Sequence, residues 1–163
     1  MPLSELIAAA EDLRTKVRAY RGAHFAASDH LRVFHYVLGF GLIAMSALVS
    51  GSVLQSADGN PSRSLTLTTG ILSTLVVILT AIQTTFKLGE RGEAHRSAAD
   101  GFGRIDRKLE MFVHRGHSDV AKGWDDLGAI SDEVGNVETG APSYMRRTYR
   151  KALKEVERGA PDQ

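Results

Sequence analysis

The fold is decided by two stretches without Asp, Glu, Lys or Arg: VFHYVLGFGLIAMSALVSGSVL at residues 33–54 and LTLTTGILSTLVVILTAIQTTF at residues 65–86. Each has 22 residues and would span about 33 Å as an α-helix, which rises about 1.5 Å per residue. That length matches a bilayer hydrocarbon core of about 30 Å. The linker between them, residues 55–64, contains the turn-forming residues Gly59 and Pro61. The pattern predicts a two-helix transmembrane hairpin with a short external loop.

The overall composition hides this pattern, because the charged residues avoid both stretches and crowd the rest of the chain. A formal net charge of +1 argues against general polyanion binding, so nucleic acid is not an expected partner. The chain has no cysteine, and therefore no disulfide, thiolate nucleophile or cysteine-ligated zinc. It also lacks a phosphate-binding loop, the His–Glu–His spacing of zinc enzymes and a nucleophile elbow. We therefore expect no enzymatic activity, no catalytic residue, no metal site and no cofactor.

Apolar stretches of this kind also occur in soluble bundles and in signal peptides. A soluble helical bundle could bury two hydrophobic helices, and the Ser and Thr residues of the second stretch lower its hydropathy. A cleaved signal peptide fits poorly, because 32 residues of mixed charge precede the first stretch, whereas a secretory signal begins with a short basic region. Membrane residence of both stretches is the prediction, with the lipid bilayer as a partner.

The distribution of basic residues predicts the orientation. Five lysines and arginines precede the first stretch, and Lys87, Arg91 and Arg96 follow the second, whereas the linker contains only Arg63. By the positive-inside rule, both termini should lie in the cytoplasm.

Helical periodicity continues outside the two stretches. In the first arm, residues 1–32, apolar or small residues recur at alternating steps of four and three: Leu6, Ala10, Leu13, Val17, Tyr20, His24, Ala27 and Leu31. This is the seam of a coiled coil and predicts one helix from about residue 4 to residue 54. The second arm, residues 87–115, has a similar series: Ala94, Ala98, Phe102, Ile105, Leu109 and Phe112. We expect the arms to form long cytoplasmic extensions of the hairpin and to pack antiparallel through these seams.

Two histidines occupy equivalent places on the arms. His24 lies nine residues before the first stretch and His95 nine after the second, so each should lie about 13 Å from the membrane edge and the two could meet. They could form a proton-sensitive or metal-binding pair. Alternatively, each could bond to a nearby acid such as Glu93.

Two short amphipathic helices are predicted over residues 116–158, followed by a disordered tail at residues 159–163. The first, at residues 118–137, is acidic and should end before Pro142. The second is basic, and its apolar residues suit one face: Met145, Tyr149, Ala152 and Val156. It could lie on anionic lipid or dock on the acidic helix, and adjacency in sequence favours docking.

The second stretch has a polar stripe at spacings of three, four and seven residues: Thr66, Thr69, Ser73, Thr80 and Thr84. Ser and Thr hydroxyls can bond to their own helix backbone, so the stripe could either line a pore or pack against helices. The first stretch offers small residues for helix packing: Gly39, Ala44, Ala47 and Gly51. Ala47 and Gly51 form a small-xxx-small pair, which allows close helix approach.

Two helices cannot enclose a channel, so a pore would require a homo-oligomer, assembled through the coiled-coil-like arms. An ion-coupled carrier is disfavoured, because neither stretch contains a charged residue. An uncharged polar lining would give a weakly selective pore.

Short motifs along the chain carry a resemblance to a known family: Arg21-Gly22-Ala23-His24, Leu38-Gly39, the run Phe86-Lys87-Leu88-Gly89-Glu90-Arg91-Gly92-Glu93-Ala94-His95, Ala98, Phe102 and Gly140-Ala141-Pro142. Over roughly residues 10–145, this order resembles the SLATT domain, a two-transmembrane effector module of bacterial conflict systems. The whole chain, residues 1–163, would then be one such domain.

The resemblance implies a pore-forming effector in the bacterial inner membrane that depolarises an infected cell and aborts phage growth. It also implies a trigger from a cytoplasmic partner that synthesises or senses a nucleotide. The alternative is a non-conducting membrane scaffold that recruits a cytoplasmic partner.

Overall fold

The computed structural model describes residues 2–57 and 63–159, and within these ranges it contains α-helices and no β-strand. The five helices are α1 (Leu3–Ala57), α2 (Arg63–Phe86), α3 (Leu88–His114), α4 (Val120–Gly140) and α5 (Arg146–Gly159). The all-α prediction is confirmed. Of the residues assigned to the external loop, 55–57 belong to α1 and 63–64 belong to α2. The intervening residues 58–62, with Gly59 and Pro61, lie outside the described residues, as do residues 160–163 of the predicted tail.

One uninterrupted helix of 55 residues, α1, carries the first apolar stretch and confirms the helix predicted from about residue 4 to residue 54. Between Pro2 and Pro61 no proline removes a backbone donor from this helix. The most apolar window of α1 and that of α2 both have a mean hydropathy of 2.1, and no residue of either window is buried inside the chain. The protein therefore has two helices long and apolar enough to cross a membrane.

A single residue, Lys87, joins α2 to α3. Its φ of 47° lies in the left-handed region, which non-glycine residues rarely adopt and which commonly ends a helix. This conformation stops α2 at Phe86 and allows α3 to begin at Leu88.

The chain divides into two compact units. We call Met1–Asp29 together with Arg91–Gln163 the core unit, and His30–Glu90 the hairpin unit. The buried cluster of the core unit draws on three helices: Leu6, Ala10 and Val17 of α1, Phe102, Ile105, Leu109 and Phe112 of α3, and Leu127 and Val134 of α4. The prediction that the seams of the two arms pack together is therefore confirmed.

One predicted seam position, Ala94, was wrong. Ala94 is exposed, whereas His95 is buried. In a heptad pattern, steps of four and three alternate, so the step of four from Phe102 back to Ala98 should be followed by a step of three to His95. The prediction instead took a second step of four, from Ala98 to Ala94.

Ion pairs between arginines of α1 and acids of α3 also hold these two helices together. The Asp106 carboxylate is 7% exposed and accepts hydrogen bonds from Arg14 Nε at 3.1 Å and Arg18 Nε at 3.0 Å. Arg21 Nη1 lies 3.7 Å from the same carboxylate, and Arg14 also pairs with Glu110 at 2.8 Å. These arginines recur at steps of four and three, so they share one face of α1 beside the apolar seam.

The basic helix α5 docks on α1. Ala152 is buried against Gly22, where a Cβ built on the glycine would lie 3.2 Å from the Ala152 Cβ. The Tyr149 ring lies 5.1 Å from that of Tyr20. Adjacency in sequence pointed to α4 as the docking partner and gave no indication of α1. Met145 was assigned to the apolar face but is 77% exposed, because α5 begins one residue later.

Candidate functional site

The hairpin unit has a heptad seam of its own, formed by half-buried residues of α1 and α2. The α1 side comprises His35, Leu38, Leu42, Met45, Val49 and Ser52, and the α2 side comprises Leu65, Thr69, Leu72, Val76, Leu79 and Gln83. Steps of three and four alternate on both sides, which is the packing geometry of a left-handed helix pair. Polar contacts occur near both ends of the seam. Thr69 Oγ1 donates to Ser52 Oγ at 2.8 Å, and Gln83 Nε2 lies 3.3 Å from His35 Nδ1.

The predicted polar stripe of α2 lies along one border of this seam, rotated from it by about 75° at 3.6 residues per turn. Thr69 and Ser73 are half-buried, whereas Thr66, Thr80 and Thr84 are exposed. The hydroxyls of Ser73, Thr80 and Thr84 each donate to the backbone carbonyl four residues earlier, at 2.8–2.9 Å. The structure thus divides the stripe into a part that packs inside the chain and a part that remains on its surface.

The predicted helix-packing residues divide in the same way. Gly39 lies at the seam, where a Cβ would be 3.9 Å from Gln83 Nε2. Ala44, Ala47 and Gly51 are exposed on the opposite side of α1, and no described atom lies within 4 Å of a Cβ built on Gly51. The role of the Ala47–Gly51 pair therefore stays a prediction, and it concerns contacts with another chain rather than with α2.

In the core unit, the structure brings His24 and His95 together. Their Nδ1 atoms are 2.9 Å apart, so one of the two nitrogens carries a proton and donates it to the other. His24 is 1% exposed and His95 6% exposed. Glu93, the acid expected as an alternative partner, is exposed at the surface, so the two imidazoles are each other's partners.

Aromatic rings enclose this pair. Phe102 stacks on His24 at 5.6 Å between centroids, and Tyr144 meets His24 edge-on at 4.8 Å. Tyr20 in turn stacks on Phe102 at 5.3 Å. A cleft of about 350 Å³ opens onto the cluster, and Glu138 is the one acid among its lining residues in the described part of the chain.

The cluster disfavours positive charge. Burial, and to a smaller extent the charge of His95, lowers the pKa of His24 from 6.5 to about 4. Burial also lowers the pKa of His95 and raises the pKa of Tyr144 to about 12. Both imidazoles are therefore neutral at pH 7. As a metal site the pair lacks support, because the described residues contain no group of three or more His, Cys, Asp or Glu side chains placed to hold an ion.

Sequence reasoning missed the aromatic enclosure and the Asp106 network. The arginine network did leave a signal, since Arg14, Arg18 and Arg21 are spaced four and three apart in the sequence. For the aromatic enclosure, Tyr20 and Phe102 stood on the predicted seams, but Tyr144 left no signal, because it precedes α5 and helical periodicity cannot position it.

A family model described as "SMODS and SLOG-associating 2TM effector domain family 4", where 2TM denotes two transmembrane helices, matches residues 19–159. This range includes both apolar stretches and α2 to α5. No curated protein and no solved structure matches the chain.

Proposed function

Because the chain belongs to the SMODS and SLOG-associating two-transmembrane effector domain family, we propose that it is a homo-oligomeric, pore-forming effector of bacterial antiphage defence. In this proposal it resides in the inner membrane with both termini in the cytoplasm, and it dissipates the membrane potential when triggered. The trigger is a signal from a cytoplasmic partner that makes or senses a nucleotide.

The hairpin unit is the observation that carries the proposal. Its large apolar side chains face outward, with Phe40 71% exposed, Ile43 67% and Leu54 73%. A soluble bundle would bury such residues, because each fully buried side chain contributes about 1.5–3 kcal/mol. These surfaces therefore require lipid or another chain around them, as expected of an oligomer in a bilayer.

The exposed border of the polar stripe supplies a lining for the pore. Thr80 and Thr84 already bond to their own backbone, so they are tolerated against lipid or protein when the pore is closed. Their hydroxyl oxygens can still accept hydrogen bonds from water when the pore is open. We assign Thr69, Ser73, Thr80 and Thr84 to the lining, with Thr69 and Ser73 released from α1 on opening. Driving such an equilibrium from 1:99 to 99:1 requires about 5.5 kcal/mol of differential binding.

The test compares two double variants in cells stained with a potential-sensitive dye, expressing the protein with and without its genomic neighbours. Thr80→Val with Thr84→Val removes two exposed hydroxyls of the stripe without changing side-chain size. Thr68→Val with Thr74→Val is the matched control, since both residues are exposed and bond to the backbone in the same way on other faces of α2.

Loss of depolarisation in the stripe variant alone is the expected result. Equal depolarisation by both variants would refute the lining assignment. If the wild-type protein never changes the potential, even with its neighbours present, the proposal of a pore fails.

A non-conducting scaffold that recruits a cytoplasmic partner is the alternative function. The contact between Thr69 and Ser52 favours it, because this stripe hydroxyl is already used to join the two helices. A scaffold would bind its partner without altering the membrane potential.

A further inference from the structure

The outer face of α5 has a large excess of positive charge. Six exposed cations lie within an arc of about 140° at 3.6 residues per turn: Arg146, Arg147, Arg150, Lys151, Lys154 and Arg158. Glu157 is the one acid within this arc, and Glu155 lies beyond its edge. Among the described residues, the only ion pair of these cations is the long 4.0 Å contact of Lys151 with Glu155.

The opposite face of the same helix is already occupied. Ala152 is 7% exposed and packs against Gly22, and Tyr149 packs against Tyr20. The alternatives of docking and lipid binding, left open by the sequence, are therefore compatible. Docking uses the apolar face of α5, and the basic face stays directed away from the core unit.

We infer that the basic face of α5 binds the anionic headgroups of the bilayer that holds the hairpin unit. This inference rests on the proposed membrane residence of the protein but not on pore formation. Because the apolar face is docked, α5 does not insert into the acyl chains. The binding is electrostatic, confined to the headgroup surface and sensitive to salt.

Covalent linkage favours lipid over an anionic partner from solution. Gly22, the docking point of α5, lies eleven residues before the first apolar stretch. Even a fully extended chain of that length spans at most about 40 Å. The basic face is thus tethered near the membrane surface, where the local concentration of headgroups far exceeds that of any dissolved polyanion.

The test uses the full chain in vesicles of phosphatidylcholine, with or without 30% phosphatidylglycerol (about the proportion that makes a surface strongly anionic). The chain has no cysteine, so Glu157→Cys introduces a unique site for a fluorophore within the basic face. A nitroxide on a fraction of the lipid headgroups quenches the fluorophore only when α5 lies at the surface. Flotation with the vesicles establishes membrane residence first.

We expect stronger quenching with phosphatidylglycerol at 50 mM NaCl and none of this increase at 500 mM. Each Lys or Arg near an anionic surface changes partitioning about fivefold, so Arg147→Gln, Arg150→Gln and Lys154→Gln together should lower the ratio of bound to free α5 about a hundredfold. The matched control removes three other exposed cations of the core unit: Arg104, Arg107 and Lys122, each replaced by Gln.

Equal quenching in both lipids overturns the inference, because anionic headgroups would then not be what holds α5 at the surface. Absence of quenching in both lipids also overturns it, and would point to an acidic protein as the ligand of this face. Quenching that persists at 500 mM NaCl also overturns it, because it would mean apolar insertion. A chain that does not float with either vesicle overturns the proposed membrane residence as well. Depolarisation in cells is a separate readout, so the pore can fail while this inference stands.

Discussion

Acid should destabilise the core unit through His24, and replacing His24 with Asn should remove most of this sensitivity. His24 is enclosed by His95, Phe102 and Tyr144, and Glu138 lines the neighbouring cleft. Protonation would place a buried positive charge beside a second imidazole. The folded state resists this protonation, whereas the unfolded chain does not.

The magnitude follows from the two pKa values of His24, about 4 in the folded protein and 6.5 in the unfolded chain. Between these values the unfolded chain binds more protons, so stability falls as the pH falls. The loss is about 1.3 kcal/mol between pH 7.5 and pH 5.5 and reaches about 3 kcal/mol below pH 4. The lowered pKa of His95 acts in the same direction.

The assay is urea unfolding of the detergent-solubilised protein at pH 7.5 and pH 5.5, followed by Trp124 fluorescence. Trp124 is the single tryptophan and packs against the buried cluster of the core unit. His24→Asn keeps a hydrogen-bonding group for His95 but does not titrate, so its loss of stability should be smaller than that of wild type by about 1 kcal/mol. His114→Asn, at an exposed position near the end of α3, should leave the wild-type loss unchanged.

Equal losses in wild type and His24→Asn would refute the reasoning, because the acid sensitivity would then arise elsewhere. If His24→Asn does not fold, His95→Asn provides the same comparison from the other side of the pair.

Three further predictions concern contacts inside the two units. Asp106→Asn should lower the free energy of unfolding by about 2 kcal/mol, because it removes the buried carboxylate that accepts hydrogen bonds from Arg14 and Arg18; a loss under about 0.5 kcal/mol in urea unfolding would contradict this. Gly22→Leu should displace Ala152 and expose α5 to trypsin several-fold faster at unchanged helicity; an unchanged cleavage rate would show that docking does not need the glycine. Ser52→Ala should weaken the hairpin by about 0.6 kcal/mol in an SDS unfolding titration by removing the partner of Thr69, and no change would mean that the hydroxyl finds another acceptor.

Much of the helical framework could be predicted, because the spacing of apolar residues and the two stretches without charged residues indicate helices directly. The alternation from Leu6 to Leu31 located the α1 seam, and the same alternation, applied strictly, would have selected His95 over Ala94. The contact of His24 with His95 was foreseeable, because equal distances along two antiparallel helices bring residues to the same level.

The docking of α5 and the division of the α2 stripe could not be predicted, because they depend on how side chains fit together and on how each helix is rotated about its axis. Opposite charge suggested that α5 docks on α4. However, Gly22 has no side chain, and this leaves room for Ala152 to pack against α1. The stripe of α2 is divided, because Thr69 and Ser73 are half-buried beside the seam whereas Thr80 and Thr84 are exposed. Periodicity identifies a polar face, but it does not say whether a neighbouring helix covers that face.

Sliding one helix of the hairpin past the other by a full turn would separate Ser52 from Thr69 and His35 from Gln83 together. The two hydrogen bonds lie near opposite ends of the seam, so sliding would have to break both of them at once. Between these two hydrogen-bonded pairs, Leu and Val side chains make non-directional contacts. Such contacts permit small rotations of each helix about its own axis. Piston-like displacement is therefore the costlier motion for this hairpin, and rolling of the helices is the motion that its side chains permit.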